Sequence, residues 1–291
     1  MNALAVPSPA LTVFADLLER RTGQRISAGR SWRIEAALRP FLRELDIPNL
    51  GVLAERIAAR DEALSTRVTE ALLNNETSFF RDFNMFELFS QGALSSLAES
   101  CAVTRRLRFW SAGCSTGQEA YTLAMMLRDQ GARWEGWAFD ILATDVSASV
   151  IARGRAGRYS QFEIQRGLPV RTMLKWFEQQ GEDWVLDPDV RRSVRFATHN
   201  LLSPAPGRFD VILCRNVLMY FQAEARAQLF DHLADALDPG GILVMGAGET
   251  VIGQTARFKP HPEWRGFYAG VNATDRKPMP SVIDGANHPR A

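Results

Sequence analysis

LRFWSAGCSTGQEAYTLAM, Leu107 to Met125, carries the clearest fold signal in the chain. It opens as a β-prone run, turns on Gly113 and Gly117, and continues as an amphipathic helix from Gln118 to Leu127. A strand passing through a glycine turn straight into a helix is half of a β–α–β unit. Glycine at such a turn lets a ligand approach the backbone beside the positive end of the helix dipole. No Lys-Ser/Thr pair follows the second glycine, which excludes a phosphate-binding P-loop, and the spacing does not satisfy GxGxxG. Taken alone, a glycine turn after a strand is as readily structural as functional.

The alternation continues downstream. AFDILATD (Ala138 to Asp145) reads as a second strand, and Ser147 as the N-cap of a short helix. FDVILCRN (Phe209 to Asn216) reads as a third strand. Ala223 to Leu237 reads as a helix, and DPGG (Asp238 to Gly241) as the turn into GILVMG. This order predicts an α/β protein, a Rossmann-like parallel sheet with helices on its faces. WVLDPDVRRSVRFATHN (Trp184 to Asn200) interrupts the order with two β-prone stretches around Asp187-Pro188-Asp189. It predicts a small antiparallel hairpin inserted in the sheet domain.

Upstream, residues 11–75 read as helices without a strand. Leu11, Phe14, Leu17 and Leu18 recur at helical spacing, as do Trp32, Ile34, Ala37, Leu38, Phe41 and Leu42. Pro40 is expected to kink or end the second helix. Leu53 and Ile57 mark a third helix, and Leu64, Val68, Leu72 and Leu73 a fourth. The predicted organisation is an all-helical N-terminal domain (1–75) and an interdomain segment and helix (76–98). A sheet domain (99–271) follows, with a β-subdomain inserted at about 160–198. Residues 272–291, with few apolar anchors, are expected to form a disordered tail.

The 291 residues suit one or two domains, at roughly 100–200 residues each. A net charge of +1 gives no global electrostatic case for nucleic acid or membrane. Three cysteines without CxxC spacing argue against a disulfide framework and a zinc site, so no metal is expected. The N-terminus lacks a secretory pattern, and no uncharged apolar run reaches about 18 residues. A cytoplasmic protein with no membrane insertion is the simplest expectation.

Chemistry-bearing residues collect at predicted strand ends. Asp145 can accept hydrogen bonds from both hydroxyls of a ribose, or serve as a plain turn carboxylate. Asn200 ends VRFATHN, and CRNVLMYF (Cys214 to Phe221) ends the third strand. With the Gly113 turn, they place four polar sites along the carboxyl edge of the sheet, where ligands of open α/β sheets bind. A nucleoside-type ligand is the expectation. His199 reads as a packed turn residue, and Cys114 and Cys214 as small buried residues.

Six motifs in one order carry a resemblance: NETSFFR (Asn75 to Arg81), FWSAGCSTGQEAYTLAM (Phe109 to Met125), ATDVS (Ala143 to Ser147), ARGRAGRY (Ala152 to Tyr159), HNLL (His199 to Leu202) and FDVILCRNVLMYF (Phe209 to Phe221). They resemble the CheR family of chemoreceptor glutamate methyltransferases, over roughly residues 11–270. The resemblance implies S-adenosylmethionine as methyl donor and S-adenosylhomocysteine as product. It places Asn75, Thr77 and Arg81 in the cofactor pocket, with Gly113 at the glycine turn. Glu119 would hold the methionine end and Asp145 the ribose, with Asn200 and Leu201 by the adenine. Arg215 and Asn216 would complete the pocket. Arg81 and Tyr220 would stand next to the transferred methyl.

A glutamate side chain has a pKa of about 4.3 and is already ionised at neutral pH, so ester formation needs no general base. The requirement is placement of a carboxylate oxygen in line with the methyl, worth about 7–11 kcal/mol in favourable cases. Arg81 suits that task through its planar fork, and Tyr220 can donate a hydrogen bond. Neither is expected to act as acid or base.

Arg20, Arg21, Arg25, Arg30, Arg33, Arg39 and Arg43 make the helical region basic, partly offset by Asp16, Glu19, Glu35, Glu44 and Asp46. The resemblance implies docking onto the receptor's methylation helices, against the plainer reading of a solvated face. Missing aromatic interleaving argues against single-stranded nucleic acid. The turn from Glu178 to Asp183 looks shorter than in relatives that tether to a C-terminal receptor peptide, so no dependence on a tether is expected. The rival readings are a methyltransferase with another acceptor, and a cofactor-binding sensor or scaffold without turnover. No Asn/Asp-Pro-Pro-aromatic segment supports amino methylation of nucleic acid. The presence of Arg81, Glu119, Asp145 and Tyr220 speaks against a sensor.

Overall fold

The computed structural model describes residues 9–26 and 28–271; the expected tail, 272–291, lies outside the described residues. Four helices come first: α1 (Pro9–Thr22), α2 (Trp32–Glu44), α3 (Leu50–Ala58) and α4 (Glu62–Leu72). Phe14, Leu18, Ile34, Leu38, Leu53 and Val68 bury their side chains in one shared core. Asn49 and Asp61 cap α3 and α4, each accepting a backbone N–H at 3.0 Å. Such a cap contributes about 1 kcal/mol.

One alternative expected at Pro40, an end to the helix, does not occur: α2 runs through it to Glu44. Pro40 and Ala36, whose carbonyl loses its usual donor, both sit on the exposed face, where that carbonyl is open to solvent. Trp32 matches the helical spacing yet is 64% exposed, because α2 only begins there.

Helix α5 (Phe83–Leu88), a π-helical turn (Phe89–Ala93) and α6 (Leu94–Ser100) lead into the sheet domain. Their buried Phe86, Phe89, Leu94 and Leu97 join the core on one sheet face. The chain then runs through β1 (Arg106–Ala112), α7 (Gln118–Asp129), β2 (Ala138–Asp145), α8 (Ala148–Ala156), β3 (Arg158–Ser160), α9 (Gln161–Gln165) and α10 (Val170–Trp176). It continues through β4 (Phe177–Gln180), β5 (Asp183–Leu186), α11 (Pro188–Arg192), β6 (Val194–Thr198) and β7 (Phe209–Cys214). Helix α12 (Ala223–Ala236), β8 (Leu237–Met245), β9 (Phe258–Pro260) and β10 (Phe267–Gly270) complete it.

The main sheet has seven strands in the order β6-β2-β1-β7-β8-β10-β9. The pairs from β6 to β8 are parallel, and β10 is antiparallel to both neighbours. Successive residues face opposite layers, as a period of two requires. Phe109, Ile141 and Val211 enter one core, and Trp110, Leu142 and Ile212 the other. From β1 the chain moves outward to β2 and β6, then returns to β7 on the other side of β1. The crevice beyond the ends of β1 and β7 is therefore the switch point where such sheets bind ligands.

The expected pairing of WVL with VRFAT does not form. WVL lies in β5, in a separate three-stranded antiparallel sheet, β3-β5-β4, whereas VRFAT is β6 and pairs in parallel with β2 at the edge of the main sheet. Between them Asp187 caps α11, accepting N–H bonds from Asp189 and Val190 at 2.8 and 3.1 Å, with Pro188 in the first turn. The Asp-Pro pair is a helix start rather than a hairpin turn. DPGG is likewise no turn between elements. It bulges inside β8, where Arg208 and Arg108 both bind the Asp238 carboxylate. Among the described residues, no helix is long and apolar enough to cross a membrane.

Candidate active site

Residues from both sides of the switch point, and from the segment joining the two domains, line one cleft with about 800 Å³ of empty space, part of it open to solvent. Asn75, Thr77, Arg81, Gly113, Glu119, Asp145, Asn200, Leu201, Arg215, Asn216 and Tyr220 all face it. Gly117 does not. Its φ is +91°, and a Cβ there would stand 2.8 Å from the Phe196 ring, so this glycine serves helix–sheet packing. Gly113 faces the cleft at φ +82°, and a Cβ there would meet Val217 at 2.7 Å.

The floor is held by backbone hydrogen bonds. Gly113 and Cys114 both donate N–H bonds to the Thr144 carbonyl at 2.8 Å, which ties the loop after β1 to the end of β2. Asp145 accepts the Ser115 N–H on Oδ2 (2.9 Å) and the Ser147 N–H on Oδ1 (3.1 Å). Burial pushes the Asp145 carboxyl above its ordinary value, and backbone N–H groups of Ser147, Ser115 and Val146 pull the other way. Each oxygen has a further lone pair to offer.

Glu119 leaves the first turn of α7, where the helix dipole favours a carboxylate. Its Oε1 accepts from Ser111 Oγ at 2.7 Å, and its Oε2 from Arg215 at 2.9 Å. The Arg215 side chain is only 1% exposed and also donates to Asp82 Oδ2 and the Arg81 carbonyl, each at 2.7 Å. Its guanidinium lies 5.4 Å from the Phe86 ring centre. A buried arginine between two carboxylates is tolerable only as a set. Removing one member of such a pair costs about 3–5 kcal/mol.

The mouth is built differently. Arg81 donates one bond, to the Glu76 carbonyl at 3.2 Å, and forms no ion pair among the described residues. An interdomain salt bridge therefore does not explain it. The Tyr220 hydroxyl accepts a hydrogen bond from Asn74 Nδ2. The helical domain closes this side: Arg25 donates its N–H to the Tyr220 carbonyl at 2.7 Å, and Gln24 pairs with Phe221 as an antiparallel bridge. Asn200 donates to the Arg21 carbonyl at 3.1 Å and accepts from the Leu202 N–H at 3.0 Å, so its side chain links the domains. Ser115 Oγ donates to the Asn75 carbonyl at 2.6 Å.

His199 also lines the cleft, its ring edge-on to Trp110, and its Nε2 is buried without a partner among the described residues. Burial lowers its pKa, so the ring is neutral at pH 7. Cys114 and Cys214 are buried, which raises both thiols and keeps them protonated. The sequence reading missed two participants, Asp82 and Glu249. Glu249 accepts four backbone N–H bonds from the loops after β7 and β8. Neither carboxylate carries a local sequence signal, because each is defined by partners far along the chain.

A half-buried carboxylate with spare acceptor capacity and a second carboxylate in the same cleft fit a nucleoside joined to an amino acid. Sheet, switch-point cleft and this pair together suit a nucleoside cofactor bound to a Rossmann-like domain. The sequence comparisons agree. Residues 75–266 match the family model for the CheR methyltransferase SAM-binding domain. Chemotaxis protein methyltransferase 1 of Pseudomonas aeruginosa is 34% identical over 82% of this chain and 89% of its own length. A chemotaxis protein methyltransferase of Vibrio parahaemolyticus is 32% identical over 89% and 95% respectively. The chain belongs to the CheR methyltransferase family and is an S-adenosylmethionine-dependent methyltransferase.

Proposed function

We propose that the chain methylates glutamate side chains of a chemoreceptor, giving glutamyl methyl esters and S-adenosylhomocysteine. Membership of a family whose relatives are named chemotaxis methyltransferases supports the pathway. The observation that carries the acceptor is Arg81, an arginine at the cleft mouth with no ion pair among the described residues. A guanidinium with one backbone partner, lining the same cleft as a tyrosine hydroxyl, suits an incoming carboxylate.

Bound S-adenosylmethionine supplies an electrophilic methyl on a sulfonium. Asp145 would accept the ribose hydroxyls, and Glu119 would face the methionine ammonium. Asn200 and Leu201 would border the adenine. Asn75, Thr77, Gly113, Arg215 and Asn216 would complete the pocket. Arg81, which would also border the cofactor, and Tyr220 would orient the acceptor so that its ionised oxygen faces the methyl group. No proton moves, so no side chain need act as a base.

The receptor would dock on the helical domain. Arg20, Arg30, Arg33, Arg39 and Arg43 form no ion pair among the described residues, whereas Arg21 and Arg25 are paired with Glu62 and Glu19. That leaves a basic surface for acidic methylation helices. The β4–β5 hairpin turns on Gly181 and Glu182 alone, which supports methylation without a C-terminal peptide tether.

The test is transfer of labelled methyl to membranes bearing a receptor, followed by base. Label released as volatile methanol is expected and identifies a carboxyl ester. Base-stable label would reject the glutamate acceptor. Cofactor binding with no transfer to any receptor of a panel would reject turnover.

A further inference from the structure

We infer that Glu249 is a positioning residue of the methyl transfer, holding the Asn216–Tyr220 loop in the shape that presents Tyr220 to the cleft. The inference rests on the reading of that cleft given above.

The loop after β7 leaves the sheet through Asn216, whose φ is +59°, in the left-handed region. That turn aims three successive backbone N–H groups, of Asn216, Val217 and Leu218, at one side. Convergent N–H groups of this kind form a nest for an anion. The anion here is the Glu249 carboxylate, supplied by the loop after β8. Its Oε1 accepts from Val217 and Leu218, both at 2.9 Å. Its Oε2 accepts from Asn216 at 2.7 Å and from Gly246 at 3.1 Å. Both oxygens of one side chain are thus consumed by backbone on either side of the β7–β8 pair.

Neighbouring residues are shaped around this contact. A Cβ on Gly246 would lie 2.8 Å from Glu249 Oε2 and 3.0 Å from the Asn216 nitrogen. Only glycine leaves room for the carboxylate. From the nest the chain makes a single helical turn, in which Tyr220 donates its N–H to the Val217 carbonyl at 3.1 Å. Glu249 holds the first residues of that turn, and Tyr220 is its last. Arg215, immediately before the nest, is independently fixed by Glu119 and Asp82. The loop is therefore anchored at its start by an ion pair and through its middle by Glu249.

Glu249 does not face the cofactor cleft. It borders a separate groove with Phe83, Ile252 and Trp264. Any effect on the reaction must pass through the backbone it holds. Chemistry also explains the residue type. Four N–H donors need two oxygens that only accept. Glutamine offers one such oxygen and turns an NH₂ donor toward two of the N–H groups.

The variants Glu249→Gln and Glu249→Ala test this in the full chain with three readouts. Amide exchange of Asn216–Leu218 should speed up by about tenfold or more, while exchange in β1 stays as in the wild type. The Kd of S-adenosylhomocysteine should rise by a clearly smaller factor than kcat falls, because Asp145 and Glu119 are untouched and only the Asn216–Val217 edge of the cleft is loosened. kcat for receptor methylation should fall by about tenfold or more with little change in KM for the methyl donor. Unchanged exchange and unchanged kcat would overturn the inference. A loss of cofactor affinity in step with kcat would also overturn it, in favour of a merely structural role. If the wild type methylates no receptor, the proposed acceptor fails, and exchange with cofactor affinity still decides whether Glu249 holds the loop.

Discussion

The floor of the cleft and its mouth are built on opposite plans. At the floor, Asp145, Glu119 and the buried Arg215 are committed to two or more protein partners each. At the mouth, Arg81 has one backbone partner and the Tyr220 hydroxyl one amide. A preorganised floor suits a ligand common to every turnover. A sparsely bonded mouth leaves donors available for a side chain that arrives on another protein. Preorganisation lowers what ordering costs on binding, and spare donors supply the contact made only with acceptor present.

The largest effect should come from breaking the floor. Arg215→Ala leaves Glu119 and Asp82 without their cation, and stability should fall by about 3–5 kcal/mol in denaturant melts. Cofactor binding should be lost with it, as calorimetry would show. A stable variant with intact affinity would mean that the Arg215 set is dispensable.

Asp145→Asn should be milder for folding and specific for the cofactor. Loss of a charged acceptor predicts roughly 10- to 100-fold weaker S-adenosylhomocysteine binding, the worth of a charge-assisted bond or two. The sign of its pH dependence follows from the raised carboxyl. In the proposed binding mode the ribose hydroxyls would donate to the ionised form, so binding would favour loss of the proton. Affinity should therefore be full above the Asp145 pKa and decline as pH falls through it, beginning above the ordinary range of about 4. Asp145→Asn should flatten this part of the profile.

Smaller effects belong to the mouth. Tyr220→Phe removes one hydroxyl, and kcat should drop about three- to tenfold with thermal stability near wild type. Trimming the C-terminal peptide of a receptor should leave its methylation rate unchanged. A marked fall there would show that the β4–β5 hairpin does hold a tether.

The sequence made the central sheet legible because β1, β2 and β7 are apolar runs ending in polar residues, each followed by a clear turn or helix. The helical core was legible through its spacing, whereas the passage of α2 through Pro40 was not, because it depends on that face being exposed. The partner of VRFAT was not legible. A parallel pair with β2 joins residues more than fifty positions apart, and nothing in the stretch itself distinguishes it from a hairpin arm. At the cleft, the residues with motif context were visible, since Gly113, Asp145 and Asn216 sit at strand ends. Glu249 and Asp82 were not, because their partners are a backbone nest and a buried guanidinium built from distant segments.

The most direct test of the division between floor and mouth is Arg81→Ala, with S-adenosylhomocysteine affinity and receptor methylation measured on the same preparation. The expected result is a kcat lower by about 100-fold, with a Kd raised by less than about tenfold, because the floor still holds the cofactor. Affinity and rate falling together by the same factor would contradict it and make Arg81 part of the cofactor floor.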